Sequence, residues 1–263
     1  MALPNSGLLG LNDIAGEFGG VLPYGLQDYY GAASGIPTSG LLGIQDFYGA
    51  SASVSSMTVA VYERQDAETF TFPAGIQQGD LLFFTDFSAA SSGGAPALVT
   101  PAGFSLISTY DLSSSPGTIV RRRSSIFFKV ATGTESGSTV SLSAKSQFGF
   151  GRVFVLRPNT PNIQSVTAAN LYAFATDGNP GSRVISSASS GGAVTVSFAV
   201  TWSGVDNTFT NLANADASFV VPDSSTAITY IAINNGPPPQ NYTVTAGNSG
   251  FGNMIHCGYL QVS

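Results

Sequence analysis

Charge is what this sequence has least of. Only 9% of its 263 residues are charged, against about 25% in an ordinary soluble domain. Hydrophobic residues stand at an ordinary 43%, and Ser, Thr, Gly, Ala and Asn fill the gap. Disorder goes with low hydrophobicity and high net charge, so this composition reads instead as β-structure with a neutral polar surface. Such surfaces suit proteins that sit in assemblies. Nine Lys and Arg face fifteen Asp and Glu, a formal net charge of −6. The cations are scattered, apart from Arg121, Arg122 and Arg123. A nucleic-acid footprint needs a basic face, so nucleic acid is not an expected partner.

The residues of catalysis and metal binding are equally scarce. The lone cysteine, Cys257, excludes an intrachain disulfide and reads as a small buried hydrophobe rather than a reactive thiol. The single histidine is His256. A Ser–His–Asp arrangement would have to use it, and no Gly-x-Ser-x-Gly elbow supplies the nucleophile. Alternation in a strand sends His256 and Cys257 to opposite faces, so the two do not readily share a zinc ion. A ring of His256 side chains on a trimer axis and a calcium ion held by Asp206 and Asn207 are the alternatives to a metal-free chain. No metal and no cofactor are expected. Glycan hydrolysis needs a carboxylate pair. Asp177, Asp206, Asp216 and Asp223 are candidates, but they sit in Gly- and Asn-rich loops where Asp closes turns, and nothing singles out a pair. The expectation is a protein that is not an enzyme. No run approaches the roughly 20 apolar residues of a membrane helix. The opening Met-Ala-Leu-Pro-Asn-Ser-Gly lacks the pattern of a secretory signal. Membrane insertion is therefore not expected, and synthesis in a cytosol is.

What is present begins with a repeat. Residues 37–50 read Pro-Thr-Ser-Gly-Leu-Leu-Gly-Ile-Gln-Asp-Phe-Tyr-Gly-Ala, and residues 23–32 read Pro-Tyr-Gly-Leu-Gln-Asp-Tyr-Tyr-Gly-Ala. A looser copy runs through Gly10–Gly16. The shared unit is Gly, an aliphatic residue, Gln or Asn, Asp, two apolar or aromatic residues, then Gly. The aliphatic residue and the residues after the Asp lie three to four apart, on one face of a short helical turn. A closing glycine can then end the turn. One turn is too short to be stable alone. Leu26, Asp28, Tyr29, Tyr30, Ile44, Asp46, Phe47 and Tyr48 are the candidate anchoring residues. Residues 1–50 read as an extended arm that docks on another surface, the alternative being that it folds back on the chain's own β-region.

Residues 51–56 read as a linker, and residues 57–263 as one β-domain. Candidate strands are 57–62, 68–72, 80–87, 104–110, 118–131, 138–145, 150–157, 163–174, 193–202, 226–234, 241–246 and 254–262, separated by Gly, Pro, Asn and Ser clusters. Arg152-Val-Phe-Val-Leu-Arg157 is the pattern of a buried central strand. Strands this numerous and short predict an all-β fold: an antiparallel jelly-roll-like β-sandwich preceded by the extended N-terminal arm with its short helical turns. Arg121–Arg123 reads as a charged guard on an edge strand, the alternative being a salt bridge to a neighbouring subunit or an anionic glycan. Trp202, Tyr172, Phe209 and Tyr230 offer either sugar-stacking rings or core. Gly236-Pro-Pro-Pro-Gln240 is a stiff polyproline turn. The loops Asp177–Arg183, Ser203–Asn211 and Asn234–Gln240 are long and polar, which makes Trp202, Asp206 and Asn207 the candidate receptor contacts.

The N-terminal units resemble a segment at the start of tailed-bacteriophage virion proteins, roughly Pro-x-Ser-Gly-x-Ile-Ser-Leu-x-Asp-Phe-Tyr-Gly and often repeated. Pro37–Gly49 matches it nearly residue for residue, with Gly43 where the family often has Ser. A second stretch is similar to a pattern in the β-sandwiches of phage tail and spike proteins: Gly79-Asp-Leu-Leu-Phe-Phe, Thr100-Pro-Ala-Gly-Phe-Ser-Leu-Ile, then Phe127-Phe-Lys-Val-Ala131. Phe104 stands where that pattern commonly has Trp. Neither motif is catalytic. Together they imply a virion component: a fibre, spike or minor tail protein that attaches to a host-surface glycan or protein. Its partners would be other virion proteins of the tail, baseplate or capsid, and itself as a homotrimer. A capsid decoration protein and a virion-associated glycan-active enzyme are the competing readings.

Overall fold

A computed structural model describes residues 3–18, 25–30, 36–37, 39–48, 54, 56–90, 97–112, 121–144, 148–159, 163, 165–176, 181–186, 194–202, 208–210, 215–223, 227–235, 241–246 and 253–263. Beyond the arm these residues form fifteen strands. The first seven are β1 (Met57–Gln65), β2 (Thr69–Thr71), β3 (Leu81–Ala90), β4 (Ser105–Leu112), β5 (Arg121–Val130), β6 (Thr139–Ser141) and β7 (Phe148–Pro158). The other eight are β8 (Val166–Thr176), β9 (Gly181–Ser186), β10 (Val194–Trp202), β11 (Thr208–Thr210), β12 (Ala217–Asp223), β13 (Ala227–Asn235), β14 (Asn241–Ala246) and β15 (Asn253–Val262). All twelve expected strands are there. Three further strands are not among the expected ones: β9 and β11 lie in polar, Gly- and Asn-rich text, and the short Phe219-Val-Val221 run of β12 ends at Pro222. The pairs are antiparallel throughout.

The strand order shows a duplication. The first large sheet runs β1-β7-β3-β5-β4, and the second, read in the matching direction, runs β8-β15-β10-β13-β12. Each half of the chain therefore lays its strands in the same order. The small outer sheets match as well, β2 beside β6 and β9 beside β14, with β11 added in the second half. One bulge corresponds as well: the β1–β7 register breaks after Val59 and the β8–β15 register at Cys257 to Tyr259, whereas the β4–β5 bulge at Leu106 to Ser108 has no counterpart in β12–β13. A simple jelly roll divides eight strands four and four. Here each half divides five to two or three, and the principal sandwich forms between the halves.

The main core fills the space between the two large sheets. Alternation places Val194, Val196, Phe198 and Val200 of β10 on the inner face, against Leu81 and Phe83 of β3 and Phe154 and Leu156 of β7. The two central strands meet where the rings of Phe83 and Phe198 lie 5.0 Å apart. The outer faces are covered separately. Phe70 and Phe72 cap Phe84, Phe104 and Phe127 on the first sheet, while Tyr242 and Val244 cap Tyr230, Ile255 and Cys257 on the second. Burying apolar area at roughly 25 cal/mol per Å² on both faces of both sheets explains how so weakly charged a chain holds a fold.

Two features of the linker reading change. Val54 is fully buried in the core between the sheets. The Ser56 amide donates to Asn159 Oδ1 at 3.0 Å, and the Met57 amide to Asn235 Oδ1 at 2.9 Å. The chain is thus stitched into the sandwich before its first strand begins. The same pole holds Pro158, Asn235 and Val262, while Gln65, Ala90, Trp202 and Met254 stand at the opposite pole.

Candidate functional site

The arm contains three turns built alike. Helix α1 (Leu11–Phe18) and the 3-10 turns Leu26–Tyr29 and Ile44–Phe47 each follow a glycine. The amides of Gly10, Gly25 and Gly43 each donate to the carboxylate of the Asp three residues on, at 2.8 Å in every copy. The amides of Asp13, Asp28 and Asp46 return to the glycine carbonyls at 3.1 Å. This reciprocal cap uses the donors that a turn's start leaves unpaired. It explains why the repeat keeps Gly and Asp at a fixed spacing.

The turns pack on one another, which corrects the expectation of an extended arm. Ile14, Tyr29 and Phe47, which occupy the same place in the three units, are all buried in one cluster with Leu3, Leu9 and Ile36. Phe18 completes it, with rings 6.3 Å from Tyr29 and 6.1 Å from Phe47, while Tyr29 and Phe47 are 6.1 Å apart edge to face. Among the described residues the cluster consists of arm residues alone. Cross-links between units reinforce it: Tyr48 Oη donates to the Gly7 carbonyl at 2.7 Å, and Tyr30 Oη donates to the Gly40 carbonyl. Three turns that could not persist singly share one small core, so the arm is compact where an extended one was expected.

This sorts the candidate anchoring residues. Tyr29 and Phe47 are spent on the arm's own core, and Leu26 and Tyr48 pack partly against it. Asp28 and Asp46 cap their turns. Tyr30 and Ile44 keep part of their surface exposed. Among the described residues of the arm, the most exposed apolar side chains are two that sequence reasoning passed over, Leu8 and Leu41, at 101% and 98% of full exposure. The signal that could have found them is the Ser-Gly-Leu-Leu-Gly that opens the first and third units.

At the opposite pole stands the backbone of one candidate receptor residue, Trp202. Trp202 ends β10, its backbone paired with Ala227 and Met254. Its side chain, Asp206 and Asn207 lie outside the described residues. The loop expectations shorten: Gly181–Ser186 and Thr208–Thr210 are strands, Asn234 and Asn235 belong to β13, and residues 177–180, 203–207 and 236–240 lie outside the described part. Of the aromatic candidates, Tyr230 is buried and Tyr172 is at the margin of exposure.

Towards this pole the core between the sheets turns polar. Arg152 on β7 bonds Thr229 Oγ1 on β13, and His256 Nδ1 on β15 lies 3.1 Å from Ser124 Oγ on β5. Arg152 and His256 each sit six residues before the end of their strand, 152 against 158 and 256 against 262. The duplicated halves thus cross-link each other from matching positions. Both side chains are fully buried. Burial pushes the His256 imidazole down to about 4, which keeps it neutral. Cys257 points the other way, into the outer cluster of the second sheet.

The Arg121–Arg123 reading is overturned. β5 lies between β3 and β4, so it is not an edge strand. Arg122 is buried, and Arg123 pairs with Asp111 on β4. The second motif of the resemblance is a structural lock. Asp80 receives the Gln77 amide and a two-pronged Arg157 contact. Lys129 pairs with buried Glu135 at 2.8 Å and lies 5.9 Å from the Phe104 ring, which stacks on Phe72. Burial alone would raise the Glu135 carboxyl, but Lys129 and the Thr132 donors hold it at about 2.

Among the described residues no three His, Cys, Asp or Glu side chains gather where they could hold a metal ion. No described helix is long and apolar enough to cross a membrane. No protein-family model, curated protein or solved structure matches this chain.

Proposed function

We propose that this chain is a structural component of a tailed-phage virion: a tail fibre, spike or minor tail protein, anchored by residues 1–50 and displaying its β-sandwich for host attachment. One observation carries this reading. The repeated, self-capped arm enters the sandwich at one pole, while the candidate recognition loop after Trp202 leaves from the other. A protein that joins a particle and a host surface needs its two contacts at opposite ends. The rigid sandwich does the spacing, and polar loops do the contacting. The working form in this reading is a homotrimer, whose closed symmetry limits its size, and the outward sandwich recognises a surface glycan or protein without chemistry.

Deleting residues 1–50 tests it. The truncated chain should fold, because its cores lie within residues 54–262, and should no longer join particles. Normal incorporation would defeat the anchoring role. Replacing Trp202, Asp206 and Asn207 together should weaken host adsorption and leave assembly intact. Unchanged adsorption would remove that loop from the site, and turnover of host glycan by the purified chain would favour the enzyme reading.

A further inference from the structure

We infer that Leu8 and Leu41 are a matched pair of docking knobs that enter two equivalent apolar sockets on a basic-rimmed surface built from two copies of one virion subunit. The inference rests on the anchoring role proposed above and names the contact that performs it.

The two leucines are the same residue of two repeat units, five before the capping Asp in each, 8 against 13 and 41 against 46. Both follow a glycine with left-handed backbone, φ +103° at Gly7 and +93° at Gly40. An L-residue rarely adopts that conformation, so the glycine is what turns the leucine outward. Both turns are also pinned from another unit, since the Gly7 and Gly40 carbonyls are the acceptors for Tyr48 and Tyr30. The next residue of each unit, Leu9 or Leu42, packs against the arm's core. Each Leu-Leu pair thus holds one side chain inside and presents the other whole. A single exposed leucine needs no explanation. Two at equivalent positions, each held by a glycine turn and a tyrosine hydrogen bond, are apolar groups fixed in place before binding, which lowers the ordering cost of association.

The geometry also describes the partner. Equivalent knobs call for equivalent sockets, and two copies of one subunit in a symmetric assembly supply them. The middle unit has Val21-Leu22-Pro23-Tyr24 before its capping glycine in place of Ser-Gly-Leu-Leu, with Pro23 at the position of Leu8 and Leu41, so two sockets are the number required. Residues 1–50 hold four acids, Asp13, Glu17, Asp28 and Asp46, and no Lys or Arg. Beside Leu8 a groove of about 400 Å³ is bordered by Leu3, Pro4, Asp13 and Glu17. An acidic border around an apolar knob fits a socket rimmed by Lys or Arg. A second copy of this chain's arm, itself without cations, would not supply that rim.

The test uses the full-length chain, produced in cells infected with phage lacking the gene. A photo-cross-linking residue replaces Leu8 in one variant and Leu41 in another, and a separate variant carries Leu8→Asp with Leu41→Asp. Both photo-variants should give an adduct with one and the same virion protein. The double Asp variant should keep the wild-type unfolding temperature and lose tenfold or more of its copies per particle. Leu8→Met with Leu41→Met should restore them. Adducts with two different proteins, an adduct with this chain itself, no adduct from particles that carry the chain, or full incorporation of the double Asp variant would each overturn the knobs while leaving the anchoring role standing. Absence of the wild-type chain from particles would defeat the anchoring role, and the knobs with it.

Discussion

The two halves of the β-region share a chain path but not a filling. On the outer face of the first large sheet, Phe70, Phe72, Phe84, Phe104 and Phe127 interlock under the two strands β2 and β6. On the matching face of the second, Ala199, Ala232 and Cys257 leave room for Tyr230, Tyr242 and Tyr259 under three strands. The Tyr242 hydroxyl then needs and finds Asn234 Oδ1. One wrap therefore accepts a dry aromatic layer or a smaller, partly polar one. What the halves hold in common is where apolar side chains alternate, not which ones they are. The difference predicts that the first half tolerates truncation least and that the second responds to loss of single polar groups.

Phe84→Ala is the sharpest way to break the first half. Phe84 is fully buried, with the rings of Phe70 and Phe104 at 5.0 and 5.7 Å, and the cavity should cost about 3–5 kcal/mol in denaturant unfolding. A loss under about 1 kcal/mol, within what volume-conserving core swaps cost, would mean that the phenylalanine layer is not tightly packed.

The junction between halves should be acid-sensitive. The His256 pKa is lowered from 6.5 to about 4 by burial, so protons bind the unfolded chain more tightly than the folded one. Stability is then full above about pH 6.5 and falls as the pH drops, levelling off below about 4. That interval corresponds to about 3 kcal/mol. His256→Gln keeps a hydrogen-bonding group that cannot titrate. It should flatten the stability profile between pH 6.5 and 4, and an unchanged profile would remove His256 as the cause. The Glu135 carboxylate, held at about 2, contributes stability that is present above its unfolded value near 4.5 and is lost at still lower pH, so the two windows are separable.

Tyr242→Phe sharpens the second half. It deletes the hydroxyl and leaves the buried Asn234 amide without that partner, a cost of about 1–2 kcal/mol. The smallest effect is in the arm. Asp46→Ala removes one of three identical caps, worth about 1 kcal/mol locally. It should speed amide exchange at residues 43–48 without moving the unfolding transition of the sandwich. Exchange that stays slow there would mean the shared core, not the cap, holds the turn.

Strand content was legible because alternation is a local signal. Thr195, Ser197 and Ala199 against Val196, Phe198 and Val200 declare β10 without knowledge of its neighbours. β9, β11 and β12 carry no such contrast; Thr208-Phe-Thr210 becomes a strand only because β14 lies beside it. The duplication was illegible for a related reason. Thr139-Val-Ser141 and Thr243-Val-Thr245 hold matching places in β6 and β14, yet so short a likeness means nothing until the strand orders coincide. In the arm, the Gly and Asp spacing revealed the turns. It did not reveal that Ile14, Tyr29 and Phe47 meet, because that contact joins residues far apart in sequence. The Arg121–Arg123 cluster misled because charge suggests an edge, whereas Arg123 is matched by Asp111 on the next strand.

Under the function proposed above, this chain belongs to a virion and is held there by its arm. Quantitative mass spectrometry of gradient-purified particles tests it most directly. The chain should peak with infectivity at a fixed stoichiometry of a few dozen copies or fewer per particle, in multiples that suit a closed oligomer. Copies in the hundreds would instead mark a capsid decoration protein, and absence from the particle peak would mean that the chain is not a virion component.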